Sequence, residues 1–495
     1  MLRSTPAQKT GSEAPLYRQL ADSIADQIAS GERKAGDRLP ATRELALQLG
    51  LNRTTVAAAY SRLEEQGLIK GHVGRGSFVC GRPANSEMAG LDWEAILPRV
   101  ETASNFSKPV EIDFSASRPD VDAFPMAQFR RLAKDVIDSP EAREILQLGS
   151  PLGYPPLRRY LLEEARGSQL ARETDDLIVT NGCQQALDLL ARVLAPSGET
   201  VVLEDPVYHG LLKVFERVGA NIIPAPVSEE GVRPETIEAI LSRDRPRAIV
   251  LTPSFQNPTG TSIPASSRCR IVEIAQRSGV VLIENDIYSE LRYEGESVST
   301  FKRLDEAGNV ILLRSYSKVS FPGLRVGWVL APRPVVQRLA ECKQTCDLHS
   351  DHLSQAVLLR FAESGELERH LNKSRAANAQ RLSAALAACA RYLPRASKFT
   401  RPRGGLNLWI ELPAPLDARD LLVHVQEQGV SFLPGHYFSS DRGAGRSSRL
   451  SGLRLSFGGL SPRQIENGIR IIGTTAENQL TLMTQKEFEP APALV

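Results

Sequence analysis

From about residue 111 to residue 475 the chain repeats one device: short runs apolar at nearly every position, separated by stretches with helical spacing. LIVT at 177–180, TVVLED at 200–205, AIVLTP at 248–253, VVLIEND at 280–286 and VILLRS at 310–315 are such runs. A strand apolar on both faces must be covered on both, and helices between successive strands supply the cover. This pattern predicts an α/β fold with a largely parallel sheet.

A chain of 495 residues exceeds one ordinary domain. Ahead of the α/β block, Pro15 to about Cys80 carries a compact helical pattern, giving an expected N-terminal domain over 13–80. Residues 81–110 mix Gly, Pro, Ser and Asn with little periodicity and read as a linker. Residues 476–495 turn polar and Pro-containing, which predicts a flexible tail after a 111–475 domain. The start MLRSTPAQKTGSEAP has no apolar core, and no apolar run nears the roughly 18–20 residues that span a bilayer, so no membrane partner is expected. The six cysteines are scattered. Cys342 and Cys346 share a helical spacing, but no second pair completes a metal site, so reduced cysteines in a cytoplasmic protein and no metal are expected.

In YRQLADSIADQIASG, Leu20, Ile24 and Ile28 make one buried stripe. Leu45 and Leu49 mark a second short helix. Asn52 is a good N-cap for a third, which buries Val56, Tyr60 and Leu63 and ends at Gly67. Its first turn, Arg53-Thr54-Thr55, places exposed donors where a recognition helix meets base edges and phosphates. GLIK, GHVGRG and SFV then predict a hairpin presenting His72 and Arg75, a wing shaped for the minor groove. The formal charge of the whole chain is only +2, and residues 1–80 hold eleven Lys and Arg against eight Asp and Glu, so placement carries more weight than charge. Arg43, Asn52, Arg53, Thr54, Thr55 and Arg75 are the expected DNA-binding residues.

PLYRQLAD, LP-x-x-REL, NRTTVxxAYxxLEEQGLI and GRGSFV closely resemble the GntR-type winged helix, which implies a double-stranded DNA operator as partner. Two positions depart from that pattern. Ala41 stands where a capping serine is frequent, and Ala57 where some relatives carry a phosphate-binding arginine; both bear on affinity.

Lys318 lies in RSYSKVSFPGLRVGW, directly after an apolar strand. A lysine in a desolvated pocket holds an aldehyde cofactor as an imine. For pyridoxal phosphate the chain must also supply phosphate ligands, a ring-face partner, partners for the ring oxygen and ring nitrogen, and a carboxylate clamp. Gly182, Cys183 and Gln184 open a helix after the strand LIVT, offering N–H groups and a favourable dipole. Ser315, Ser317 and Arg325 complete a phosphate cradle. Tyr208 offers a ring face, and Asn257 in QNPTG a partner for the ring oxygen. Arg454, between apolar strand neighbours in LRLSFG, needs an anion. For the ring nitrogen, ENDIYSEL leaves two registers open, counted against Tyr288. D-x-Y spacing gives Asp286, the preferred partner because it holds a charge; D-x-x-Y spacing gives Asn285, which cannot.

In this chain order the motifs look like the fold-type I aminotransferase set. That resemblance implies a smaller C-terminal α+β part, a Schiff base on Lys318, a substrate carboxylate on Arg454 and a homodimer. Fused to a winged helix, the arrangement resembles the MocR/GabR family of regulators, through TPSFQNPTG, YSKVSFPGLRVGW and GGLNLW. It implies a regulator that senses a small amine or amino acid by imine exchange. An active aminotransferase carrying a DNA-binding module stays open, as does pyridoxal phosphate itself as the sensed ligand.

Overall fold

A computed structural model describes residues 15–72, 76–80, 91, 93–97, 110–439 and 450–487. The chain divides into two compact units, Met1–Glu101 and Thr102–Val495, at a point inside the expected linker.

In the first unit, α1 (Leu16–Ala29) buries Ala21 and Ile24, with Leu20 and Ile28 packed beside them. Helix α2 (Thr42–Leu49) begins at Ala41 with no side-chain cap, as its sequence implies. Helix α3 (Arg53–Glu65) is capped by Asn52, whose side-chain oxygen accepts from the Thr54 N–H at 3.1 Å. It buries Val56, Ala59, Tyr60 and Leu63. Strands β1 (Ile69–His72) and β2 (Gly76–Val79) pair antiparallel, with His72 opposite Gly76. The segment Asp37–Leu39 joins the free edge of β2: Leu39 N–H donates to Ser77 O and Val79 N–H to Asp37 O. The hairpin is thereby tied to the helical core. Arg75, expected at the hairpin tip, lies outside the described residues.

The second unit is built on an eight-stranded sheet. Its spatial order is Asp175–Asn181, Val326–Pro332, Val310–Ser315, Val281–Asn285, Ala248–Leu251, Thr200–Asp205, Asn221–Ser228 and Gly231–Val232. All strands run parallel except Val326–Pro332 and the edge strand Gly231–Val232. The apolar runs behave as their composition requires: Ala248–Leu251 is buried at every position. Side chains alternate across the sheet. Ile283, Ile311 and Leu313 pack with the helices Gly182–Leu194, His209–Arg217 and Arg333–Asp347. Leu282 and Val310 face the other side, against Pro234–Arg243 and Ala265–Ser278.

A smaller antiparallel sheet, ordered Lys398–Phe399, Asn407–Glu411, Gly452–Ser456 and Leu433–Pro434, packs on the helices Glu366–Tyr392, Ala418–Gln426 and Pro462–Glu487. The last helix corrects the expected tail. Residues 476–487 belong to it, and Ala476 is fully buried. Ile465, Ile469, Ile472 and Ala476 recur every three or four residues, and each buried Ile contributes roughly 1.5–3 kcal/mol. That stripe holds the polar end in register; residues 488–495 lie outside the described residues.

Candidate cofactor site

At the carboxyl ends of the parallel strands lies a cavity of about 280 Å³. Crevices of this kind form where strand ends and the loops leaving them open the sheet edge. Cys183, Gln184, Tyr208, Asn257, Asn285, Tyr288, Ser315, Ser317, Lys318, Arg325 and Arg454 all line it, although the sequence scatters them over more than half the chain.

Lys318 arrives by a short 3-10 turn, Tyr316–Lys318, that Ser315 caps by accepting the Ser317 N–H at 3.0 Å. Its Nζ donates to the backbone oxygen of Ser117 and stands 5.8 Å from the centroid of the Tyr288 ring. Tyr288 is fully buried, and its hydroxyl meets Ser117 Oγ at 3.3 Å and the Asn407 amide at 3.4 Å. Burial alone pushes that phenol up, but the Lys318 charge, these hydrogen bonds and Arg454 outweigh it and hold it below the usual tyrosine range.

The phosphate-type cradle forms around the start of the helix Gly182–Leu194. Gly182 has φ +73°, and a Cβ there would collide with the Arg325 guanidinium. Only glycine permits this approach. Arg325 Nη1 donates to Ser317 Oγ at 3.3 Å and Nη2 to Asn181 O at 3.4 Å; Ser315 Oγ donates to Ser317 Oγ at 2.9 Å. Behind the cradle, Asp347 accepts from Asn181, Gln185 and the buried Lys343 at 2.5–2.9 Å, fixing the helix start. Gln184 donates to Gly210 O. The Cys183 thiol donates to Arg314 O, and burial pushes it up to about 12, so it stays protonated and is no nucleophile.

Across the cavity, Arg454 sits on a strand buried at every position. Its Nη1 donates to Asn257 Oδ1 at 3.2 Å and its Nη2 to Ser115 O, while buried Nε has no partner. No carboxylate among the described residues forms an ion pair with it. Burial lowers it to about 10, which leaves it a cation at neutral pH. A buried guanidinium without a counter-ion is set for an anionic ligand.

Strand alternation separates the two residues that the ring-nitrogen registers leave open. Asn285 shares the Ile283 face and lines the cavity. Asp286, the preferred candidate, does not: its carboxylate pairs with Arg314 at 2.8 Å. Spacing against Tyr288 does not carry the strand's phase, and one residue of slip exchanges the faces. Ser115 and Ser117 were not anticipated. They act chiefly through backbone oxygens, which no side-chain pattern marks.

The donor set fits a phosphorylated aldehyde: a cradle for the phosphate, an amine for the carbonyl, and an orphaned guanidinium N–H for a carboxylate. Among the described residues no cluster suited to a metal ion occurs, and no helix is long and apolar enough to cross a membrane. On the first unit, Arg43, Arg53 and Thr54 are exposed and Thr55 half-buried. The Asn52 side-chain oxygen is committed to Thr54, so Asn52 shapes the turn more than it offers a free acceptor.

Residues 109–472 match the family of aminotransferase class I and II, and residues 16–79 the bacterial regulatory proteins of the gntR family. The chain is 34% identical to a 2-aminoadipate transaminase of Thermus thermophilus, over 76% of this chain and 92% of that protein. It is 29% identical to the probable rhizopine catabolism regulatory protein MocR of Rhizobium meliloti, over 92% and 93%. Among solved structures, it resembles the alpha-aminoadipate aminotransferase LysN of Thermus thermophilus, complexed with N-(5'-phosphopyridoxyl)-L-leucine. The identity is 31% and the TM-score 0.72, covering 79% of this chain and all of that one.

Proposed function

This chain belongs to the aminotransferase class I and II family and carries a gntR-family DNA-binding domain ahead of it, and we propose that it is a transcriptional regulator whose larger unit senses a small amine or amino acid. Pyridoxal phosphate is the cofactor of this fold and of its homologues. When bound, it supplies an aldehyde carbon that forms imines with amines and exchanges one for another.

Lys318 is the residue we assign to that carbon. Gly182, Ser315, Ser317 and Arg325 hold the phosphate, Tyr208 and Asn257 the ring, and Asn285 the ring nitrogen. Arg454 orients an incoming amino acid by its carboxylate. The single observation that carries this reading is that Lys318 and Arg454 open into one cavity while Arg454 lacks any carboxylate partner among the described residues. Displacing Lys318 frees an ammonium that now contacts Ser117 and Tyr288, and that rearrangement is the local event which alters DNA occupancy. A coupling of about 1–3 kcal/mol, or 5- to 150-fold in affinity, is ample. The same reading has the protein act in the cytoplasm as a homodimer on paired half-sites, with Arg43, Arg53, Thr54, Thr55 and Arg75 on the DNA.

An absorbance titration of the loaded, full-length protein tests it. Lys318→Ala is expected to abolish the imine band, and an amino acid to shift that band in the wild type while changing operator affinity. A band that survives Lys318→Ala sinks the assignment. A second reading, an amino-acid aminotransferase with a DNA-binding module, is favoured by the likeness to the 2-aminoadipate transaminase. Steady 2-oxo acid release would select it.

A further inference from the structure

We infer that Asn285 confines this pocket to exchanging amines and withholds the proton abstraction that transamination requires after that exchange. The inference rests on the cofactor assignment above and names the step at which the chemistry stops.

Loss of the α-proton from a bound amino acid leaves a carbon electron pair that must be delocalised. A pyridine ring takes that pair when its nitrogen is protonated, and a carboxylate beside the nitrogen holds that proton in place. Among the described residues lining the cavity there is no Asp and no Glu, against three cations, Lys318, Arg325 and Arg454. Asn285 occupies the wall between Ser315 and Asn257. Its Nδ2 lies 3.3 Å from Thr252 Oγ1, and its Oδ1 is buried with no partner. A neutral amide hydrogen-bonds to a ring nitrogen in either protonation state but does not charge it. Asp286, one residue on, faces the opposite side of the sheet and is neutralised by Arg314 at 2.8 Å. The next buried carboxyl near the strand ends, Glu204, accepts the Thr252 N–H at 3.0 Å and a Gln256 amide N–H at 3.2 Å.

Imine exchange has no such requirement. The incoming amine forms a bond to the carbon as the Lys318 nitrogen leaves it; one amine enters, one departs, and the protons redistribute between the two nitrogens with no oxidant and no net water. The pocket therefore responds to its ligand without consuming it, and the ligand leaves unchanged when Lys318 returns.

The test uses the full-length protein loaded with cofactor labelled with ¹⁵N in the ring. The wild-type ring nitrogen is expected to resonate as unprotonated, and Asn285→Asp to move the signal to the protonated position. With α-deuterated alanine in ordinary water, the wild type is expected to retain the label and Asn285→Asp to wash it out at least about a hundredfold faster. A protonated wild-type nitrogen, or washout as fast in the wild type as in Asn285→Asp, overturns the inference. The ring signal is read on the Lys318-bound cofactor before any ligand is added. If no amine shifts the absorbance band, sensing fails, yet the nitrogen signal still decides the role of Asn285 without any variant having to fold.

Discussion

Asp286 and Arg314 close an ion pair of 2.8 Å at the ends of two neighbouring parallel strands, on the side of the sheet away from Asn285. The Asp286 side chain is wholly buried and Arg314 keeps a fifth of its exposure. Removing one partner strands the other charge, so Asp286→Asn is expected to cost roughly 3 kcal/mol, the lower end for a buried pair. Chemical denaturation measures it. The imine absorbance of the loaded protein is expected to survive unchanged, because the carboxylate is not in the cavity. Loss of that band in Asp286→Asn would return the ring-nitrogen role to Asp286.

Gly182→Ala separates the cradle from the fold. The substitution forces a Cβ into the Arg325 guanidinium at φ +73°, a backbone region costing an L-residue about 1–2 kcal/mol. Arg325 must withdraw, losing a charge-assisted contact to phosphate worth about 1.5–3 kcal/mol. Cofactor affinity is expected to fall about ten- to a hundredfold in a fluorescence titration, with the circular dichroism spectrum retained. Unchanged affinity would remove Gly182 and Arg325 from the phosphate site.

These residues mark where the sequence was legible. Continuous apolar runs predict strands buried on both faces, and Ala248–Leu251 is one. Glycine, serine and arginine types announced the cradle, since only glycine tolerates the Gly182 backbone so close to a guanidinium. The choice between Asn285 and Asp286 was not legible, because it depends on strand phase, which Tyr288 spacing leaves undetermined. Nor were Ser115 and Ser117, whose backbone oxygens receive Arg454 and Lys318 from distant parts of the chain. The Lys343–Asp347 pair behind the cradle reads in sequence as an ordinary helical i,i+4 pair, and only packing shows that Lys343 is buried.

Glu204 predicts a pH dependence. Burial pushes its carboxyl up to about 8, against which the Thr252 and Gln256 hydrogen bonds act only in part. A folded value above the unfolded one means that the folded state binds the extra proton. Stability from this group is therefore complete below about pH 4.5 and is lost as pH rises toward 8. The loss is on the order of a few kcal/mol. Urea midpoints are expected to fall across that window in the wild type and to fall less in Glu204→Gln. Equal slopes in both proteins would show that Glu204 titrates normally.

In the N-terminal unit, Asn52 and Arg53 are adjacent but carry different work. Asn52→Ala removes the cap on Thr54 and is expected to cost about 1 kcal/mol of stability. Arg53→Ala leaves the helix intact and is expected to weaken operator and random DNA alike. It lowers the slope of log affinity against log salt by about one. Anisotropy titrations at several salt concentrations measure both; an unchanged slope would take Arg53 off the phosphate backbone.

Arg454 is the residue through which ligand class can be read. It is buried on the strand Gly452–Ser456, holds Asn257 by Nη1, and keeps Nε without a partner. A carboxylate placed there gains charge-assisted hydrogen bonds of about 1.5–3 kcal/mol each. An amine lacking a carboxylate gains none. Arg454→Met keeps a long apolar side chain and removes the charge, so the concentration of an amino acid needed to shift the imine band is expected to rise at least about tenfold per lost bond. Methylamine, which meets only the carbon held by Lys318, is expected to act at nearly its wild-type concentration. A parallel loss for both ligands would mean that Arg454 shapes the pocket through Asn257, and the carboxylate would have to be sought at Arg325 or outside the cavity.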